Sequence, residues 1–209
     1  MKATISGLYA ITPETADTQR LLQQTALALA GGARVVQYRS KSEHVALRHE
    51  QAVELLVLCR RHRVPFLIND DVRLATLIDA DGVHLGKEDA SLKEARINLG
   101  PDKIIGVSCY QDLATARRLA AEGADYVAFG SFYPSSTKPE ARACPINLLT
   151  EAKQALTIPI VAIGGITPDN AAALIHAGAD ALAVISALFD APDIELTAIH
   201  FDSLFQPKH

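Results

Sequence analysis

A (β/α)8 barrel is the α/β fold the sequence predicts, and three observations predict it. Eight short apolar runs occur, at 8–11, 35–38, 66–68, 83–85, 104–107, 126–129, 160–163 and 181–185. Most are apolar at successive positions rather than alternating, as strands covered on both faces are in a parallel sheet. Segments of helical period lie between most of them. Turn formers precede the runs and polar side chains follow them. Eight βα units in 209 residues fit a single-domain barrel near the lower size limit of that fold.

The first strand, 8–11, is followed by Thr12-Pro13 and no GxGxxG, which argues against the runner-up, an open doubly wound sheet. Leu21, Leu22, Thr25, Ala28 and Leu29 then fall on one helical stripe. Gly31-Gly32-Ala33 ends that helix before the second strand, since glycine supplies the left-handed terminating residue. Ala52, Leu55, Leu56 and Cys59 form the next stripe, ahead of strand 66–68. Asp81-Gly82 reads as a further stop before 83–85. Ser91 with Glu94 fits a capping box. Ala116, Leu119 and Ala120 form the stripe after the fifth strand, and Gly123-Ala124-Asp125 closes it. Thr167-Pro168 pairs a cap residue with a proline at the first helical turn, and Gly178-Ala179-Asp180 precedes the last strand. The recurring helix–Gly-Ala-Asp–strand pattern is a weak internal repeat, one βα unit used many times. The tail, 201–209, has two phenylalanines and a proline, which suit packing on the barrel or on a partner.

The composition narrows the function. Hydrophobic residues make up 49% and aromatics 5%, so the core is built of Ala, Leu, Ile and Val. A net charge of −4 argues against a nucleic-acid or membrane surface. No run reaches the ~18 apolar residues of a membrane span, and no signal-type segment is seen. Cys59, Cys109 and Cys144 show neither CxxC nor metal spacing; an odd count of this kind suits reduced thiols and a cytoplasmic protein. Oligomeric state is left open, a homo-oligomer included.

Chemistry gathers after the strands. Arg39 and Lys41 follow the second, with Gln37 inside it. Asn69, Asp70 and Asp71 follow the third, and Gly86, Lys87, Glu88 and Asp89 the fourth. Ser108 follows the fifth. The sixth opens into Gly130-Ser131-Phe132-Tyr133-Pro134-Ser135-Ser136-Thr137-Lys138-Pro139, a long loop with hydroxyls and a lysine suited to phosphate oxygens. Gly164-Gly165 follows the seventh and Ser186 the eighth. In a parallel barrel these ends converge on one face, where active sites sit.

Arg39, Lys41 and Lys138 then meet Asp70, Asp71 and Asp89. Such a mixture either makes salt bridges or holds a diphosphate through a metal, because Mg2+ takes carboxylate and phosphate oxygens together. His84, inside a strand, reads as a hydrogen-bonded wall residue rather than a ligand. The ends of strands seven and eight are the usual monophosphate site of such barrels. Two phosphate-type sites on one face imply transfer between two small molecules with loss of pyrophosphate.

The series Gln37-Tyr38-Arg39-Ser40-Lys41, Asn69-Asp70-Asp71, His84-Leu85-Gly86-Lys87-Glu88-Asp89, Gly106-Val107-Ser108, Pro134-Ser135-Ser136-Thr137-Lys138, Ile163-Gly164-Gly165-Ile166 and Val184-Ile185-Ser186 resembles the thiamine phosphate synthase family over nearly the whole chain. The resemblance implies condensation of a hydroxymethylpyrimidine diphosphate with a thiazole phosphate, giving thiamine phosphate and pyrophosphate and requiring Mg2+. It implies that Gln37, Tyr38, Arg39, Ser40, Lys41, Asn69, Ser108 and Lys138 hold the pyrimidine diphosphate. By the same resemblance Asp70 and Asp89 bind Mg2+, and Ser135, Ser136, Thr137, Gly165, Ile185 and Ser186 hold the thiazole phosphate. Catalytic roles are implied for Lys138, Arg39, Lys41 and Ser108. The sequence departs from the family pattern at Ser135 for threonine, Lys87 for glutamine, and Tyr38 for an aliphatic residue or phenylalanine. Rival readings are a thiazole tautomerase-type barrel, another phosphate-binding barrel isomerase, and a non-catalytic binder of thiamine precursors.

Overall fold

The computed structural model describes residues 3–86, 91–134 and 143–206. Strands β1 (Gly7–Ile11), β2 (Val35–Tyr38), β3 (Phe66–Asn69), β4 (Gly82–Leu85), β5 (Ile104–Tyr110), β6 (Tyr126–Gly130), β7 (Ile160–Ile163) and β8 (Ala181–Val184) close into one barrel in sequence order. Every neighbouring pair is parallel, and β1 closes on β8 through the register Leu8↔Leu182. The expected barrel is therefore present, and the eight apolar runs are its strands within one residue at either end, except that β5 runs three residues further, to Tyr110. The last strand is shorter than its run: β8 stops at Val184, and Ile185 leads into a helix of four residues, α8 (Ser186–Phe189).

Helices α1 (Thr18–Ala30), α2 (Val45–His62), α3 (Val72–Leu77), α4 (Leu92–Leu99), α5 (Leu113–Ala121), α6 (Asn147–Ala155) and α7 (Pro168–His176) separate the strands, and α9 (Ile194–Ser203) follows α8. Most stripe residues bury as expected: Leu21, Thr25, Ala28 and Leu29 on α1, Ala52, Leu55, Leu56 and Cys59 on α2, and Ala116 on α5, while Leu22, Leu119 and Ala120 are half-buried. Ser91 and Glu94 form the capping box of α4, and Thr167 with Asn170 forms that of α7. In the tail, Phe201 is fully buried and Phe205 packs against the same core. Among the described residues no helix is long and apolar enough to cross a membrane.

Period-two alternation divides the strands between two cores. Leu8, Ala10, Val36, Tyr38, Phe66 and Ile68 join the larger core between sheet and helices. Tyr9, Ile11, Val35, Leu67, Ile104, Tyr126, Ala128, Val161, Ala181 and Ala183 fill the lumen. The same parity carries Gln37, Asn69, His84 and Ser108 inward, one step nearer the C-terminal mouth.

The Gly-Ala-Asp repeat has a physical basis. Gly32, Gly123 and Gly178 are left-handed at φ 100, 98 and 116, as helix termination requires. Gly82 is not; the expectation that it ends a helix is corrected, since it lies within β4 and Asp79 takes the left-handed turn at φ 57. Its need for glycine is spatial, because a Cβ there would stand 2.0 Å from the Ile104 carbonyl oxygen. The aspartates are clamps. Asp81, Asp125 and Asp180 accept from the backbone N–H of Phe66, Ile105 and Ile160, each at the start of the preceding strand, at 2.8–2.9 Å.

Cys59, Cys109 and Cys144 are all buried and unpaired by disulfide. Burial pushes the Cys59 and Cys109 thiols up to about 12 and Cys144 up to about 11, so none is a thiolate near neutral pH.

Asp180→Ala leaves the buried Ile160 N–H without its acceptor, at a cost of roughly 1–3 kcal/mol. Thermal unfolding followed by circular dichroism is expected to show Tm lowered by several degrees. Asp180→Asn, which keeps a carbonyl acceptor, is expected to lose less.

Candidate active site at the C-terminal mouth of the barrel

A cavity of about 500 Å3 opens at the ends of β2 and β3, and Arg39, Lys41, Arg48, Asn69, Asp70 and Asp71 are among the residues lining it. The first βα loop holds the second in place. Thr12 Oγ1 accepts from Arg39 N at 3.0 Å, while Glu14 accepts from the Ser40 hydroxyl at 2.9 Å and from Lys41 N at 2.8 Å. The backbone of 39–41 is thus anchored by side chains from the neighbouring loop, and the Arg39 and Lys41 side chains are left to face the cavity.

The adjacent carboxylates after β3 do different work. Both oxygens of Asp71 are engaged: Oδ1 accepts from Leu74 N at 2.9 Å as the cap of α3, and Oδ2 meets Arg48 Nη2 at 2.6 Å. Asp70 adopts a left-handed backbone at φ 63, and its N–H donates to the His84 carbonyl at 2.8 Å. Its Oδ2 accepts from the Asn69 amide at 2.6 Å. Both line the cavity with Arg39 and Lys41, and of the two Asp70 is the one outside the helix cap. Its oxygens are hard donors of the kind Mg2+ takes, one or two at a time alongside phosphate. Among the described residues no three His, Cys, Asp or Glu side chains converge as a self-sufficient metal cage.

Across the mouth, β6 and β7 lead into loops that touch. Phe132 N and Tyr133 N donate to the carbonyls of Ile163 and Gly164 at 3.1 and 3.0 Å, and Cys144 N returns to the Ser131 carbonyl at 2.7 Å. The glycine pair permits this contact. A Cβ on Gly164 (φ 104) would lie 1.9 Å from Ser131 Oγ, and one on Gly165 (φ 62) would lie 2.3 Å from the Pro134 carbonyl. Asn170 Nδ2 donates to the Gly165 carbonyl at 3.0 Å, tying the turn to α7.

A model of the family described as thiamine monophosphate synthase matches residues 8–188. The thiamine-phosphate synthase of Thiobacillus denitrificans is 59% identical over 98% of this chain and 97% of its own length. That of Methylobacillus flagellatus is 57% identical over 96% of each. The chain belongs to the thiamine monophosphate synthase family. Among solved structures, the thiamine phosphate pyrophosphorylase of Pyrococcus furiosus matches with a TM-score of 0.84 and 35% identity, covering 95% of this chain and 94% of that one. The resemblance drawn from the motifs is borne out, and with it the assignment to a transferase of thiamine biosynthesis.

Within that family frame, the residues expected to hold the pyrimidine diphosphate divide by depth. Arg39, Lys41 and Asn69 line the cavity. Gln37 lies lower in the lumen, 2% exposed, with its amide on the Tyr9 hydroxyl at 2.7 Å. Ser108 stands beside a β-bulge in β5, its Oγ 2.9 Å from His84 Nε2. Tyr38 belongs to the opposite parity; it lines the cavity from the helix side, with its hydroxyl donating to Gln51 at 2.8 Å. The Ser40 hydroxyl is directed to Glu14. Gly165, Ile185 and Ser186 sit at the ends of β7 and β8. Asp89, Ser135, Ser136, Thr137 and Lys138 lie outside the described residues.

Four residues were not singled out in the sequence. Glu14 had the same signal as the rest, a polar residue after a strand. Arg48 had none, being one charge within α2. Tyr9 and Tyr126 read only as apolar strand positions, although each brings a hydroxyl into a lumen.

Asp70→Asn is expected to lower turnover at least tenfold with little change in Tm. Asp71→Ala is expected to lower Tm by several degrees, because it removes both a helix cap, worth about 1 kcal/mol, and the partner of Arg48. Steady-state kinetics and thermal unfolding of the two variants separate the roles; the opposite pattern would exchange them.

Proposed function

We propose that this chain condenses 4-amino-2-methyl-5-(diphosphooxymethyl)pyrimidine with a thiazole phosphate, releasing thiamine phosphate and pyrophosphate. The observation that carries this reading is the convergence of Arg39, Lys41, Asn69 and Asp70 on one cavity at the mouth. Cations beside a carboxylate suit a diphosphate bound with a divalent ion. Family membership and relatives named thiamine-phosphate synthase over nearly the whole length support it.

The reaction asks for positioning and charge stabilisation rather than a protein nucleophile. The pyrimidine CH2–O bond breaks, and its electron pair leaves with pyrophosphate. The ring's amino group delocalises the resulting cation, and the lone pair of the thiazole nitrogen forms the new C–N bond. Arg39, Lys41 and Lys138 oppose the charge that grows on the leaving group. Gln37, Asn69 and Ser108 orient the pyrimidine side. Ser135, Ser136, Thr137 and the backbone at Gly165, Ile185 and Ser186 receive the thiazole phosphate, with Gly165 allowing close approach. Asp70 and Asp89 would hold Mg2+, which when bound supplies further charge neutralisation to the diphosphate. The reaction is assigned to the cytoplasm.

Pyrophosphate release measured with each substrate alone, with both, and with or without Mg2+ tests the reading. Release only with both substrates and the metal is expected. Thiazole isomerisation without pyrophosphate would replace the synthase reading with the tautomerase one. Lys138→Ala is expected to lose most of kcat, by 10²-fold or more on the order of magnitude of a removed charge-stabilising donor, with circular dichroism unchanged. Near-normal turnover in that variant would remove Lys138 from the mechanism.

A further inference from the structure

A line of hydrogen bonds crosses the lumen beneath the mouth. Gln37 Nε2 donates to Tyr9 Oη at 2.7 Å, Tyr9 Oη meets Tyr126 Oη at 2.7 Å, Tyr126 Oη meets His84 Nδ1 at 2.8 Å, and His84 Nε2 meets Ser108 Oγ at 2.9 Å. The five side chains come from β2, β1, β6, β4 and β5. The line begins and ends on residues assigned above to the pyrimidine diphosphate, and its three middle members have no role in the proposed reaction.

Proton counting gives the line a direction. A phenol carries one hydrogen and accepts through its oxygen, and a neutral imidazole donates from one nitrogen only. Tyr9 is 1% exposed and Tyr126 fully buried, so each hydroxyl hydrogen must go to one of its two partners. Gln37 Nε2 cannot accept, so Tyr9 donates to Tyr126. Tyr126, its oxygen already accepting, donates to His84 Nδ1. The imidazole hydrogen therefore sits on Nε2 and is given to Ser108 Oγ. The hydrogen of Ser108 is left over, at the end of the line formed by β5.

The packing is built for this line. Gly106 lies between His84 and Tyr126 in the ladder, in register with both. With no side chain there, the His84 and Tyr126 rings stack across it at 5.6 Å and 22°. A Cβ on Gly106 would fall 1.9 Å from Tyr126 Cζ. Tyr9 meets Tyr126 edge-on at 6.0 Å, and burial raises the ionisation of both phenols well above the ordinary range. Both therefore stay protonated and able to donate.

We propose that Gln37, Tyr9, Tyr126 and His84 form a one-way hydrogen-bond line that fixes the Ser108 hydroxyl as a donor toward an acceptor atom of the pyrimidine diphosphate. Tyr9, Tyr126 and His84 are positioning residues acting through Ser108. The site assignment of Ser108 is that of the proposed function, on which this inference rests. Reversal of the Gln37 amide would reverse every bond and turn Ser108 into an acceptor, so the direction is a measurable property of the folded protein.

The test has two parts. In the full-length protein labelled with 15N-histidine, two-bond 1H–15N correlations report the His84 tautomer, assigned by its loss in His84→Gln. A neutral Nε2–H form is expected, and an Nδ1–H form would overturn the proposal. This reading needs no activity, so it stands apart from the question of whether Ser108 touches substrate. In the second part, Tyr126→Phe is expected to reduce kcat on the order of tenfold, as loss of an orienting partner does. It is expected to reduce kcat no further in a Ser108→Ala background. Equal effects of Tyr126→Phe in both backgrounds would show a role not routed through Ser108 and overturn the proposal. Tyr9→Phe repeats the cycle should Tyr126→Phe not fold. Unchanged turnover in Ser108→Ala would withdraw the site assignment and with it the catalytic half of the inference, while the tautomer still decides the direction.

Discussion

Closing eight parallel strands into a ring sends every second side chain into a lumen with room for few of them. That constraint governs the rest of the molecule. Polar atoms buried inside must satisfy one another, because an unsatisfied group there costs about 1–3 kcal/mol. Lower in the lumen the chain answers with Val35, Leu67, Ile104 and Val161. Nearer the mouth the inward positions become Gln37, Asn69, His84 and Ser108; Asn69 is satisfied by Asp70, and the other three by one continuous line through Tyr9 and Tyr126. The floor of the proposed site is therefore part of the core, so its geometry is as fixed as the packing that surrounds it.

Above that floor the rim is built from loops that brace each other in pairs. Glu14 and Thr12 hold the backbone of 39–41 from the side. Ser131 to Pro134 lies against Gly164 and Gly165, where any side chain on either glycine would collide. Asp71 fastens α3 to Arg48 on α2. These contacts consume polar groups that a reading of composition would assign to substrate. Ser40 and Asp71 are the clearest cases: each is a polar residue at a strand end, and each already has a protein partner.

The opposite rim follows a different economy. Asp81, Asp125 and Asp180 each reach back to an N–H in the first or second residue of the preceding strand. The end of the barrel opposite the candidate site is braced by backbone clamps repeated every second strand. The candidate site and these backbone clamps thus occupy opposite ends of the barrel, as the fold generally arranges them.

Apolar runs, helical stripes and glycine stops are local patterns, and they sufficed to give the strand number, the closed barrel, and the face bearing Arg39, Lys41, Asn69, Asp70 and Ser108. Motif order sufficed for the family. Local patterns carry no information on which neighbour a polar atom meets, so Tyr9 and Tyr126 looked like any apolar strand residue and Gly82 looked like a helix stop. Only the closed barrel brings residues 117 positions apart, Tyr9 and Tyr126, within hydrogen-bonding distance. It also turns Tyr38 toward the helices while Gln37 faces the lumen. The sequence determined the kinds of groups present and the end of the barrel they occupy. Tertiary structure decided their partners, because hydrogen bonds act over about 3 Å in space and take no account of distance along the chain.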